Sequence, residues 1–380
     1  MVSASCLTDP KQITTLRNII FYLAILLFSC REDFSHREYR YVPPPQVDDG
    51  WITAPVSGSE IDTARIFQFM NAFVKRDHQV SSVLIVKNDT LLLEEYFNGN
   101  DKNSLHDLRS ATKSVRSLLV GIALQEGFIG SLDDPILNYL GELVDEGQVD
   151  PEKRTVTIRH LLTMSPGWDC NDWNKDSAGQ EDRIHRKKNW LQYIMQLPMQ
   201  FAPGDTSMYC SAATILAAEV VSRASSMSVE AFAEKYLFGP LGISNYRWGH
   251  TTKKNVPESA RRLYLTSRDF AKIGQLVLDS GRWQNQPVVS SEWIRESTRV
   301  HTQITGVDYG YLWWRIPLAA NGSPVEAVEA MGNGGQYLML FPKQDIMLVF
   351  NGTAYNSEED KLPFQITNQI FIPALKVFSE

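Results

Sequence analysis

A chain of 380 residues, 43% hydrophobic and 21% charged, has the length and balance of a globular protein with one large core or two intimate ones. The formal net charge of −7, with no basic cluster interleaved with aromatics, argues against a nucleic-acid role. The seven histidines lack any His-Glu-x-x-His or comparable ligand spacing, and there is no phosphate-binding loop, so neither a metal nor another cofactor is expected.

Residues 1–30 read as an export signal. Lys11 and Arg17 precede an apolar run, Ile19 to Phe28, too short for a bilayer span of about 20 residues and suited to a signal-peptide core. Leu27-Phe28-Ser29-Cys30 is similar to a bacterial lipoprotein cleavage box, which makes Cys30 the expected lipidation site. A buried N-terminal helix is the alternative. Residues 31–50 are charged and then rich in proline (Pro43-Pro44-Pro45), and read as a flexible tether. The expected organisation is signal 1–30, tether 31–50 and a single catalytic domain over 51–380, at the bacterial cell envelope and touching the membrane only through a lipid anchor.

Apolar spacing over Ile61–Val74 predicts a helix. Ser82–Val86 and Thr90–Tyr96 are β-rich and separated by Lys87-Asn88-Asp89, a hairpin signal. A mostly helical middle follows, from Ser110 to about Gly281. Strands return at Tyr311–Ile316, Glu326–Met331, Tyr337–Phe341 and Ile346–Asn351, and a last helix is predicted over Leu362–Phe378. Strands at both ends with helices between imply an α+β fold: one antiparallel sheet closed by both termini, with an inserted helical lobe. The cleft between sheet and lobe is the natural place for a site.

Ser110-Ala111-Thr112-Lys113 opens the apolar helical run Val115–Leu124. Positions i and i+3 share a helix face, about 5–6 Å apart at Cβ, so the amine reaches the hydroxyl without further help from the fold. A serine needs an adjacent base to become a nucleophile, and a lysine serves where burial favours its neutral form. Three more segments stand out: Tyr209-Cys210-Ser211 before the helical run Ala212–Val221, Gly332-Asn333-Gly334-Gly335-Gln336 between two strands, and Leu161–Gly167 at a helix end. No Gly-x-Ser-x-Gly elbow is present, against an α/β-hydrolase.

The order and spacing of these motifs resembles the serine β-lactamase and penicillin-binding-protein superfamily, in its class C, D-alanyl-D-alanine carboxypeptidase and esterase branch, over roughly residues 60–375. The resemblance implies Ser110 as acylated nucleophile, Lys113 as its proton acceptor and Tyr209 as the shuttle to the leaving group. It puts Asn333-Gly334-Gly335 on the cleft strand and the N–H groups of Ser110 and Gln336 in the oxyanion hole, with Ser211, Asn333, Gly334 and Gly335 touching substrate. Trp313 and Trp314 read as sheet core and cleft wall. In the resembled fold the loops bearing Cys170 and Cys210 are neighbours, which implies a disulfide pinning the Tyr209 loop; two free buried thiols are the alternative.

Two departures bear on substrate. Ser211 replaces a frequent asparagine, and Asn333 stands where relatives that recognise carboxylates place a cation, so weak recognition of such substrates is expected. The implied activity is that of a serine hydrolase acting on a small-molecule ester or amide. The rivals are a true β-lactamase or carboxypeptidase, and an acyl-binding sensor that does not turn over.

Overall fold

The computed structural model describes residues 34–375 except 59–60, 145–149, 253–254 and 321–322. Cys30 and the apolar run Ile19–Phe28 lie outside the described residues. Contacts divide the chain into a small unit, residues 34–40 with 67–77, and a large one, residues 41–66 with 78–375. In the small unit the Tyr39 amide donates to Asn71 Oδ1, and the Tyr39 and Phe67 rings meet at 5.9 Å. The helix expected over Ile61–Val74 is α1, Thr63–Phe73. Everything described below lies in the large unit.

In chain order its principal strands are β1 (Ile52–Thr53), β2 (Val80–Lys87), β3 (Thr90–Tyr96), β4 (His106–Asp107), β5 (Tyr246–Gly249), β6 (Arg262–Leu265), β7 (Thr302–Ile304), β8 (Val307–Tyr309), β9 (Trp314–Arg315), β10 (Val328–Gly332), β11 (Gln336–Phe341) and β12 (Ile346–Gly352). Nine of them form the main sheet in the order β1-β3-β2-β12-β11-β10-β9-β8-β7. Strands from the two ends of the chain meet where β12 pairs antiparallel with β2, Phe350 opposite Val83. The sheet is mixed rather than purely antiparallel, because the edge strand β1 runs parallel to β3, Ile52 opposite Thr90.

The central strands are buried on both faces, which is why they read as unbroken apolar runs. Side chains alternate along β11. Leu338 and Leu340 meet α4 (Ser267–Leu278), whose Gly274 sits so close that a Cβ would lie 2.2 Å from Met347 Sδ. On the opposite face Met339 accepts from Thr367 Oγ1, and Phe350, opposite Tyr337, stacks on Phe371 at 5.9 Å. Burying each such side chain contributes about 1.5–3 kcal/mol.

Across from the sheet, α2 (Thr112–Gln125) is buried from Thr112 to Ala123 and packs against α3 (Ser211–Ser225), buried from Ser211 to Val221. A helix buried all round marks the centre of a fold. The expected helical middle also holds β5 and β6, which join β4 just ahead of it in a three-stranded sheet, β4-β6-β5, whose strands of two to four residues are too short to show a period.

Other expectations need correction. The strand expected over Tyr311–Ile316 shrinks to β9, because Leu312 takes φ +64°. The last helix is broken into Leu362–Ile366, a π turn Thr367–Phe371 and Ile372–Ala374, with Pro363 and Pro373 at the starts of the two α segments. The second half of the expected tether is built into the large unit. The buried Arg268 guanidinium needs acceptors, and finds Asp49 at 2.8 Å and the Pro45 carbonyl at 3.0 Å beside Glu94 at 2.7 Å, while Tyr41 donates to the Leu92 carbonyl. Among the described residues no helix is long and apolar enough to cross a membrane.

Candidate active site

The nucleophile turn is fixed from both sides. Asp107 Oδ1 accepts the Arg109 amide at 3.0 Å, and Arg109–Ala111 forms a 3-10 turn that runs straight into α2. Arg109 itself takes φ +50°, a left-handed conformation uncommon for a side-chain-bearing residue. Thr112 Oγ1 accepts the Leu263 amide and ties the helix start to β6. On this support Lys113 Nζ donates to Ser110 Oγ at 3.0 Å, the contact that the i, i+3 spacing requires.

Tyr209 arrives from the other wall. Its ring lies under Lys113 Nζ at 4.7 Å and is nearly parallel to Trp173 (5.0 Å) and Trp314 (5.7 Å). Trp314 backs the Tyr209 ring, while Trp313 is fully buried. Three links hold the Tyr209 loop to the loop before it. Cys170 and Cys210 are joined as a disulfide with Cα atoms 5.5 Å apart, the Asp172 amide donates to the Tyr209 carbonyl at 2.9 Å, and Asp172 Oδ2 accepts both the amide (2.9 Å) and hydroxyl (2.7 Å) of Ser211. Burial pushes the Asp172 carboxyl up to about 6, with the Lys113 charge and the Ser211 donors pulling the other way.

The third motif crosses behind Ser110. A Cβ on Gly332 would lie 2.2 Å from the Leu108 carbonyl oxygen, and one on Gly334 would enter the Tyr355 ring. Gly334 and Gly335 take φ of +93° and +89°, conformations in which glycine alone is unstrained. Asn333 Oδ1 accepts the Asn356 amide at 3.1 Å. The Gln336 side chain points into a buried polar chain: it donates to the Gly352 carbonyl, accepts from Asn351 Nδ2 at 3.0 Å, and Asn351 Oδ1 accepts from Ser267.

Ser110, Lys113, Tyr209, Ser211 and Asn333 thus line one cleft of about 230 Å³. Gly334 and Gly335 lie in the turn between β10 and β11, and Gln336 opens β11. Ser211, expected to touch substrate, lines the cleft and donates its hydroxyl to Asp172. Sequence reasoning missed Arg109, Arg116, Asp172, Trp173, His185, His250 and Arg262, which also line the cleft. Asp172-Trp173, two residues after Cys170, was the available signal. Among the described residues no group of three or more His, Cys, Asp or Glu side chains is arranged to hold a metal.

A serine with a buried lysine at hydrogen-bond distance, a tyrosine against that lysine, and a glycine-rich turn at the cleft are the parts of an acyl-transfer centre on a mixed sheet with a helical lobe. The chain belongs to the Beta-lactamase family, whose model matches residues 66–368, and is a serine hydrolase of that family. It is 23% identical over 288 residues to the 6-aminohexanoate-dimer hydrolase of Paenarthrobacter ureafaciens, covering 70% of each chain. Over 196 residues it is 26% identical to the lovastatin esterase of Penicillium rubens, covering 47% of each. A solved structure from Bacillus anthracis, provisionally described as a 6-aminohexanoate-dimer hydrolase, superposes with a TM-score of 0.66 at 18% identity, covering 91% of this chain and 90% of that one.

Proposed function

We propose that this chain is an esterase or amidase that works through an acyl-enzyme on Ser110. Lys113 takes the Ser110 proton as Oγ attacks the substrate carbonyl. The oxyanion is received by the Ser110 and Gln336 backbone N–H groups, each worth about 2.7–4 kcal/mol in the transition state. Tyr209 passes the proton to the departing alcohol or amine, and water then cleaves the acyl-enzyme by the reverse relay. The observation that carries this reading is the 3.0 Å contact between Lys113 Nζ and Ser110 Oγ with the Tyr209 ring packed against the same nitrogen. That relatives bear the names of an amide hydrolase and an ester hydrolase supports it.

Export and a lipid anchor at Cys30 belong to the same proposal. The apolar run before Cys30 and a disulfide that persists in oxidising compartments support it. The test of function is turnover by the purified chain of p-nitrophenyl esters, a linear 6-aminohexanoate dimer, a D-alanyl peptide and a chromogenic cephalosporin. Sustained hydrolysis of an ester or amide is expected. A burst that stops at one equivalent overturns the reading in favour of a sensor.

A further inference from the structure

Asp172 is held in the cleft wall through both its backbone and its side chain. Its N–H donates to the Tyr209 carbonyl at 2.9 Å, and its Oδ2 accepts the amide and the hydroxyl of Ser211 at 2.9 and 2.7 Å. The Cys170–Cys210 bridge ties the same two loops immediately upstream. A carboxylate offers about four acceptor sites, and here one oxygen takes both donors. The other, Oδ1, is buried without a hydrogen-bond partner among the described residues. A buried carboxylate oxygen left this way is costly unless a positive charge stands opposite it.

The charges that share the cleft with Asp172 come from several elements. Lys113 and Arg116 lie on α2, Arg262 on β6, Glu181 and His185 on the short helix Glu181–His185, Arg109 before Ser110, and His250 just after β5. Most of them are engaged elsewhere or uncharged. Arg109 and Arg262 lie 3.1 and 3.4 Å from Asp107 Oδ2, and Arg116 donates to Thr214 Oγ1 and the Arg261 carbonyl. Burial lowers the His185 and His250 imidazoles, His250 to about 4, so both are neutral near pH 7. Of the surrounding charges Lys113 pulls hardest on the Asp172 carboxyl, towards its ionised form, and Glu181 pushes the other way. That same Lys113 Nζ sits 3.0 Å from Ser110 Oγ and 4.7 Å over the Tyr209 ring.

We propose that Asp172 is a positioning residue for the serine reaction: its carboxylate, carried on the Ser211 amide and hydroxyl, stabilises the positive charge that Lys113 Nζ acquires when it takes the Ser110 proton. This rests on the acyl-enzyme reading. As Oγ bonds to the substrate carbonyl carbon, its proton moves to Nζ, and an oxyanion and an ammonium form together. The oxyanion has its backbone donors, and Asp172 is the fixed charge for the ammonium. Because Ser211 holds it in place beforehand, no reorganisation is needed as the charge develops. Asp172 takes no proton and touches no substrate. The departure at Ser211 from a frequent asparagine then has a function: a serine–aspartate pair across two bridged loops stands where a single amide is expected.

The test is the pH profile of kcat and kcat/KM for a neutral p-nitrophenyl ester, on the wild type, Asp172→Asn and Ser211→Ala. Asp172→Asn keeps an oxygen for the Ser211 donors and removes the charge. Without that charge the protonated form of the acceptor is less favoured and appears only at lower pH. The acid limb should therefore move down by about one pH unit or more, the low end of what a nearby opposite charge does to its partner. On the plateau kcat should fall by up to about ten-fold, since one unit of basicity is worth that much. Ser211→Ala keeps the charge and removes one hydrogen bond, so it should lower kcat with less than half that displacement of the limb. A limb that stays in place in Asp172→Asn, or moves equally in both variants, overturns the proposal and leaves Asp172 a loop fastener. Labelling by a fluorophosphonate separates the premise: a wild type that fails to label sinks the acyl-enzyme reading itself, whereas labelled proteins with a fixed limb sink the role of Asp172 alone. Should Asp172→Asn fail to fold, Asp172→Ser removes the same charge and its limb decides in the same way.

Discussion

In β11 and β12 every residue is buried, and the ladder runs through successive pairs from Tyr337–Phe350 to Phe341–Ile346. The cleft beside this core is assembled from a turn with φ +50° at Arg109, two loops joined by the Cys170–Cys210 bridge, and a cluster of charges. The core satisfies its groups by repetition. The cleft leaves groups unsatisfied: Arg116 Nε, Arg262 Nε and Asp172 Oδ1 are buried without hydrogen-bond partners among the described residues. The comparison teaches that the stable half of the molecule supplies position, and that the polar half holds the charge and strain that chemistry uses.

That division is tested first at the catalytic contacts. Lys113→Ala and Tyr209→Phe should each lower kcat by about 10²–10⁴, the usual reach of acid–base catalysis. Thermal unfolding of both should stay cooperative, since the sheet does not depend on them. Near-normal turnover by the Lys113 variant would leave Tyr209 as sole base.

The bridge between the loops comes next in size. Replacing Cys170 and Cys210 together by serine should cost about 2–4 kcal/mol, the usual value of a disulfide, and should lower kcat as the Tyr209 loop loosens. Loss of stability with kcat intact would mean that Asp172 and Ser211 hold the loop unaided.

The smallest effect lies at the one place where the core breaks its own rule. Glu329 on β10 is wholly buried opposite Trp314 and Met339, and neither carboxylate oxygen has a hydrogen-bond partner among the described residues. Burial pushes its carboxyl up to about 8. The unfolded chain releases this proton near pH 4.3, so the group's contribution is complete below about pH 4.3 and is lost as pH rises towards 8. Glu329→Gln should therefore raise the melting temperature by several degrees at pH 8–9, with the gap closing below about pH 5. A gap that does not change with pH would place the carboxylate in a charged, paired state.

Much of this fold was legible in the residues. Apolar runs such as Ile346–Asn351 and the hairpin at Asn88-Asp89 mark strands because burial on both faces leaves an unbroken pattern. Ser110 and Lys113 were legible because a helix fixes i, i+3 neighbours without tertiary help. The three-stranded sheet β4-β6-β5 was not, since its strands carry too few residues to establish a period. The tether was misread because the partner of Asp49, Arg268, lies 219 residues away. Arg109, Arg116 and Arg262 escaped for a related reason: nothing adjacent in the sequence shows which arginines the fold turns into the cleft.

The most direct test of the central claim is intact-protein mass spectrometry after exposure to a fluorophosphonate probe, run on the wild type and on Ser110→Ala. One adduct per wild-type chain, mapped to Ser110, and none on the folded Ser110→Ala protein is the predicted result. An adduct of equal yield on the Ser110→Ala protein would contradict it and move the nucleophile elsewhere.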